Sequence, residues 1–89
     1  MQEVFKVLAD GQRREILRLL KNAEMNVTEI SEHLGLTTAT VSHHLSKLSA
    51  VELVLKNRKK QKIYYRLRTS LFEDLANFFM EFFKVDGDK

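Results

Sequence analysis

The chain of 89 residues contains no cysteine. Disulfides and thiolate metal sites are therefore excluded, both as staples and as sensors. Proline is also absent and glycine occurs three times, a composition that favours helix over loop. No apolar run approaches the roughly 20 residues that span a bilayer. The N-terminal MQEVFKVLADGQRR lacks the basic-then-apolar pattern of a secretory leader, so a cytoplasmic protein without membrane contact is expected. Catalytic signatures are missing too. There is no glycine-rich phosphate loop, and no acid pair with a histidine outside the stretch 26–50. Ser42 and His43 are neighbours on one predicted helix, so their side chains diverge and cannot form a nucleophile–base pair. An enzyme is not expected.

What is present fits one domain spanning 1–89. A chain this short buries a modest fraction of its surface, and oligomerisation is the common remedy when disulfides are unavailable to it. Charge is unevenly placed. Residues 1–50 hold six basic and six acidic side chains, residues 51–68 hold seven basic against Glu52 alone, and residues 69–89 hold two basic against five acidic. The excess positive charge is thus confined to one short segment, the electrostatic footprint of a polyanion partner.

The stretch that segment follows is NVTEISEHLGLTTATVSHHLSKLSA, from Asn26 to Ala50. Asn26 and Glu29 have capping-box spacing, Val27, Ile30 and Leu34 recur at helical spacing, and Gly35 suits a left-handed helix end. Thr37 can cap a second helix beginning at Thr38, whose buried stripe is Val41, Leu45 and Leu48. Its opposite face carries Ala39, Ser42, His43, Ser46 and Lys47, which is small, polar and hydrogen-bonding. His44 lies on the flank of the stripe, where a packing or capping role is expected. A helix–turn–helix of this shape suits the DNA major groove.

Upstream, Val4, Phe5, Val7 and Leu8 predict a short apolar helix. Asp10 is a predicted N-cap for a second helix over 12–21, which has a broad apolar face and carries Arg13, Arg14 and Arg18 on its solvated side. A loop over 21–25 follows. Downstream, 53–58 and 62–68 have strand character, with Ile63, Tyr65 and Leu67 on one buried face. Arg58, Lys59, Lys60 and Gln61 form the hairpin tip between them. A hairpin in this position predicts a wing whose cations, Lys62 included, reach phosphates or the adjacent minor groove. Ser70 and Glu73 have the spacing of another capping box. The helix they would open carries Leu71, Phe72, Leu75, Phe78, Phe79, Met80, Phe82 and Phe83. That is more apolar surface than one terminal helix can bury within so small a chain. Together with Val4, Phe5 and Leu8, these residues predict a homodimer interface. The fold expected is mainly α with a β-hairpin wing.

Three stretches carry a resemblance to the ArsR-type (arsenic-repressor-like) winged-helix repressors of bacteria: VFKVLADGQRREILRLL, NVTEISEHLGLTTATVSHHLSKL and LVLKNRKKQKIYYRL. The resemblance implies a homodimeric repressor on an inverted-repeat operator of double-stranded DNA. It implies base reading by Thr38, Ala39, Ser42 and His43, with Thr40, Ser46 and Lys47 on the same helix and Arg58, Lys59, Lys60 and Lys62 on flanking DNA. Within the family the chain is most similar to the metal-independent sporulation-delay autorepressor type, which implies an autoregulatory role. Two positions depart from the pattern. Gly11 stands where the family often has proline, and Lys60 stands where a wing-tip glycine is usual, which predicts a different turn or a longer loop.

Many relatives sense metals, through cysteines in the helix–turn–helix or through Asp/His/Glu sets on the last helix. Here Glu73, Asp74 and Glu81 have no histidine beside them, and His33, four residues from Glu29, has the spacing of a solvated pair. No metal and no cofactor are expected, and an effector or protein partner beyond DNA is left open. A winged helix used only for protein–protein contact is the alternative. Apolar residues would then be expected on the outer face of the second helix, without a concentrated basic segment.

Overall fold

The computed structural model describes residues 2–83. The element order is α1 (Gln2–Leu8), α2 (Gly11–Asn22), β1 (Met25–Asn26), α3 (Val27–Leu34), α4 (Thr38–Ala50), β2 (Val54–Lys59), β3 (Lys62–Leu67) and α5 (Thr69–Met80). The strands form one antiparallel sheet in the order β1-β3-β2. This is a winged helix–turn–helix: α2, α3 and α4 pack on one another, and β2–β3 is the wing.

Local chemistry explains where the helices begin and end. The Asp10 carboxylate accepts from the amides of Gln12 (2.9 Å) and Arg13 (3.1 Å) and starts α2. Asn26 and Glu29 form the expected reciprocal capping box, each bond 2.9 Å long. Gly35 takes φ 67° and its amide donates to Ser31 O, which closes α3. The Thr37 hydroxyl accepts from the Thr40 amide and opens α4. No glycine directly follows α4, and Glu52 itself adopts φ 62°. The amide of Leu53 then bonds Leu48 O, the six-to-one bond that ends many helices. Arg68 Nη1 donates to the Glu52 carboxylate at 2.8 Å and helps hold that left-handed residue.

The core lies where α2, α3 and α4 meet the base of the wing. Ile16, Ile30, Val41, Leu45, Leu48 and Leu53 are almost free of solvent. The expected stripe of α4 is therefore buried, and His44 is buried beside it. Among the described residues no helix is long and apolar enough to cross a membrane.

Two expectations need correction. The loop expected over 21–25 ends in strand β1, because Met25 and Asn26 pair with Tyr65 and Tyr64 of β3. Ser70 does not cap α5: the helix already starts at Thr69, its N-cap residue is Arg68, and no side chain caps it. Of the two alternatives expected at the wing tip, the longer loop is not found. Lys59 pairs with Lys62, and Lys60 itself adopts φ 57° in the two-residue turn.

The helix α5 is attached through Leu71, Phe72 and Leu75, which pack on the core. Beyond Leu75 its side chains lose that support. The molecule measures 55 × 24 × 21 Å with a radius of gyration of 15.1 Å, against about 12 Å for a compact chain of this length.

Candidate nucleic-acid interface

Two elements put polar and cationic side chains on the surface together: the outer face of α4 and the wing. Thr38, Ala39, Ser42, His43, Ser46 and Lys47 are all exposed along α4, as the helical period requires once Val41, Leu45 and Leu48 are buried. Thr40 is only half-buried, and its hydroxyl accepts from Thr37 Oγ1 at 2.9 Å. Among these side chains no apolar patch breaks the polar face.

The reader helix is held against α2 by a hydrogen-bonded clamp. Arg13 Nε donates to His44 Nδ1 at 3.2 Å, which makes Nδ1 an acceptor and leaves the ring proton on Nε2. Nε2 lies 2.9 Å from Gln12 Oε1, where it donates. Arg13 also approaches the Asp10 carboxylate at 4.0 Å. Burial lowers the pKa of His44 below its ordinary 6.5; Asp10 opposes the shift, while Arg13 and His43 add to it. The same amide bonds from Arg13 and Gln12 that cap α2 hold the Asp10 carboxyl below its usual range. Arg13 is thus not the solvated side chain expected from its helix, because its partner lies 31 residues away on α4. Arg14 is likewise engaged, donating to Leu8 O at 2.8 Å and covering the end of α1. Arg18, which pairs with Glu15, stays on the exposed side as expected.

The wing register sorts its cations between two faces. Val54 pairs with Leu67, Lys56 with Tyr65 and Arg58 with Ile63, and paired residues share a face. This face continues from the core, since Val54 is buried and Tyr65 and Leu67 pack against the hydrophobic cluster. Lys59, Lys62, Tyr64 and Arg66 therefore point to the other face. There Glu24 accepts from Lys59 Nζ and from Asn57 Nδ2. The bond from Lys59 is the main cause that lowers the Glu24 pKa, and its counterpart raises that of Lys59. Lys59 Nζ also sits 5.2 Å from the centre of the Tyr64 ring. The wing cations expected from the sequence are accordingly not equivalent. Lys59 is already paired, Lys60 projects from the tip, and Arg58 shares its face with Lys56, a residue that composition alone did not single out.

The residues expected at a subunit interface also divide. Val4 (8% exposed) and Leu75 (5%) are buried within the chain and have little surface to offer. Leu8, Leu71 and Phe72 are partly covered by the same core. Phe5, Phe78, Phe79 and Phe82 are exposed, joined by Met80 and Phe83. Phe5 and Phe79 bring their rings within 5.9 Å, Phe78 and Phe79 within 5.5 Å, and Phe78 and Phe82 within 5.2 Å, so α1 and α5 present one aromatic cluster. Among the described residues no group of three His, Asp or Glu side chains is arranged to hold a metal ion.

Comparison with known proteins agrees with this geometry. Residues 10–56 match the model of the family described as bacterial regulatory protein, arsR family. The chain is 40% identical over 89 residues to the transcriptional repressor SdpR of Bacillus subtilis, covering 99% of each. An ArsR-like transcriptional regulator from Rhodococcus superposes with a TM-score of 0.84 at 26% identity, over 91% of this chain and 76% of the other. The homodimeric winged helix–turn–helix DNA-binding domain from Mycobacterium bovis superposes with a TM-score of 0.75 at 35% identity, over 89% of this chain and 70% of its own length.

Proposed function

Since the chain belongs to the ArsR family of bacterial regulatory proteins, we propose that it is a sequence-specific, double-stranded DNA-binding transcriptional repressor. The observation that carries this reading is the continuous polar face of α4 beside a cationic wing. The face of α4 enters the major groove, where Thr38, Ala39, Ser42 and His43 reach base edges. His43 can donate or accept there, and Ser42 and Thr38 can do both through hydroxyls. Lys47, Arg58 and Lys60 contribute to attraction by phosphates, which supplies affinity and a steep salt dependence. The similarity to a repressor over the full chain supports repression rather than activation.

The unit acts as a homodimer in the cytoplasm, its 89 residues forming one domain. The exposed aromatic cluster of α1 and α5 supports this, as does the elongated shape of a single copy. A contiguous apolar patch of this kind is unfavourable in water and marks an interface. Two reader helices then address two half-sites about one helical turn apart. No enzyme activity, resident metal or cofactor enters this reading.

A mobility-shift titration on the DNA upstream of the chain's own gene tests it. A shifted complex that survives non-specific competitor at moderate salt is expected. Binding without sequence preference would defeat the proposal and favour a winged helix used for protein contact.

A further inference from the structure

The inner face of the wing and the flank of α4 enclose a groove of about 370 Å³. Its walls are Ser42, Ser46 and Ser49 from α4, with Lys56 and Tyr65 from the paired wing strands. The lining therefore gathers the exposed Ser42, Ser46 and Lys56 and the half-buried Tyr65 around one space. One residue of this lining contributes no accessible hydroxyl, because Ser49 Oγ is closed off from solvent and has no hydrogen bond. Lys56 takes part in none of the ion pairs among the described residues, which join Arg13 to Asp10, Arg18 to Glu15, Lys59 to Glu24 and Arg68 to Glu52. Lys56 and Arg58 on the helix-facing side both lie outside these pairs, and of the two Lys56 lines the groove, while Lys59 on the other side is paired with Glu24.

DNA geometry supplies the occupant. A helix in the major groove and a hairpin reaching the adjacent minor groove are separated by the sugar–phosphate strand that divides those grooves. In this chain the space between helix and hairpin is the serine-lined groove. We propose that it seats one phosphodiester of that strand. Lys56 supplies the charge, and the hydroxyls of Ser46 and Tyr65 donate to the non-bridging oxygens. The anion is clamped from both sides, by the reader helix and by the wing, which sets how deeply α4 enters the major groove. This proposal rests on the DNA-binding reading above and adds to it a defined phosphate seat.

The test compares K56Q with K62Q, a charge removal on the opposite face, by measuring DNA affinity against salt concentration. K56Q should lose about tenfold in affinity, uniformly across sequences, with the log–log salt slope reduced by about one. K62Q should change the slope by less than half as much. Y65F, which keeps the packed ring and removes only the hydroxyl, should lose on the order of threefold. Replacing single phosphates by uncharged methylphosphonates locates the seat: one position should weaken the wild type about tenfold and K56Q not at all. Lys56 is exposed, so K56Q should melt with the wild type. If wild-type protein binds its DNA while K56Q keeps the full salt slope, or loses equally at every methylphosphonate position, the phosphate seat is refuted alone. If the wild type binds no DNA specifically, the functional reading is lost and the seat with it.

Discussion

Replacing His44 by alanine should destabilise the protein by about 2–4 kcal/mol, and the clamp between α2 and α4 explains the size. The ring is buried and makes hydrogen bonds to Arg13 Nε (3.2 Å) and Gln12 Oε1 (2.9 Å). Its removal leaves a part-buried guanidinium N–H without an acceptor, which costs roughly 1–3 kcal/mol. The void left beside Val41 and Leu45 adds about 1 kcal/mol or more, according to how far the helices collapse into it. Urea denaturation at fixed protein concentration measures the loss, because any dimer couples stability to concentration. A double-mutant cycle with Arg13→Ala isolates the pair: a coupling of at least about 0.5 kcal/mol is expected for groups in one hydrogen-bond network. A loss below about 0.5 kcal/mol in H44A, or strict additivity in the cycle, would show that His44 packs without clamping α2 to α4.

Other consequences are open to measurement. The folded-state pKa of His44 lies below its ordinary value of 6.5, so the unfolded chain binds the extra proton between the two values. Its contribution is fully present above about pH 6.5 and is lost as pH falls through the folded pKa; H44Q should flatten that acid limb in thermal melts. Phe79→Asp places a charge in the exposed aromatic cluster of α1 and α5. Sedimentation should then report a single 10.4 kDa chain where the wild type gives twice that mass, and an unchanged mass would remove this face from the interface. Gly35 holds φ 67°, and a Cβ there would meet nothing within 4 Å. G35A should therefore cost only the backbone penalty of about 1–2 kcal/mol, and a much larger loss of stability would reveal crowding that the geometry does not show.

The helix–turn–helix was legible in the sequence because its signals are local. Asn26 and Glu29 lie three residues apart, and Gly35 and Thr37 act on the helices they adjoin. Errors arose where a residue's partner is distant in the chain. Met25 and Asn26 become strand only by pairing with Tyr65 and Tyr64, and no property of the two residues alone announces it. Arg13 has the helical position of a solvated side chain, yet it is claimed by His44 across 31 residues. Lys59 reads as a free wing cation until Glu24, 35 residues earlier, is found beside it. The capping signal at Ser70 was local but lost to an earlier start at Thr69. Alternation did identify Ile63, Tyr65 and Leu67 as one face. Only the cross-strand register could add Lys56 and Arg58 to that face, and so bring Lys56 into the groove beside α4.

Whether α4 reads DNA in a symmetric pair is decided by selecting bound duplexes from a random pool. An inverted repeat should be enriched, with half-sites about 10 base pairs apart, centre to centre, or a multiple of one turn. Enrichment should disappear when Ser42 and His43 are both replaced by alanine, with the fold retained. A pool that stays unenriched with wild-type protein at moderate salt, or enrichment of a single asymmetric half-site, would contradict paired reading by α4.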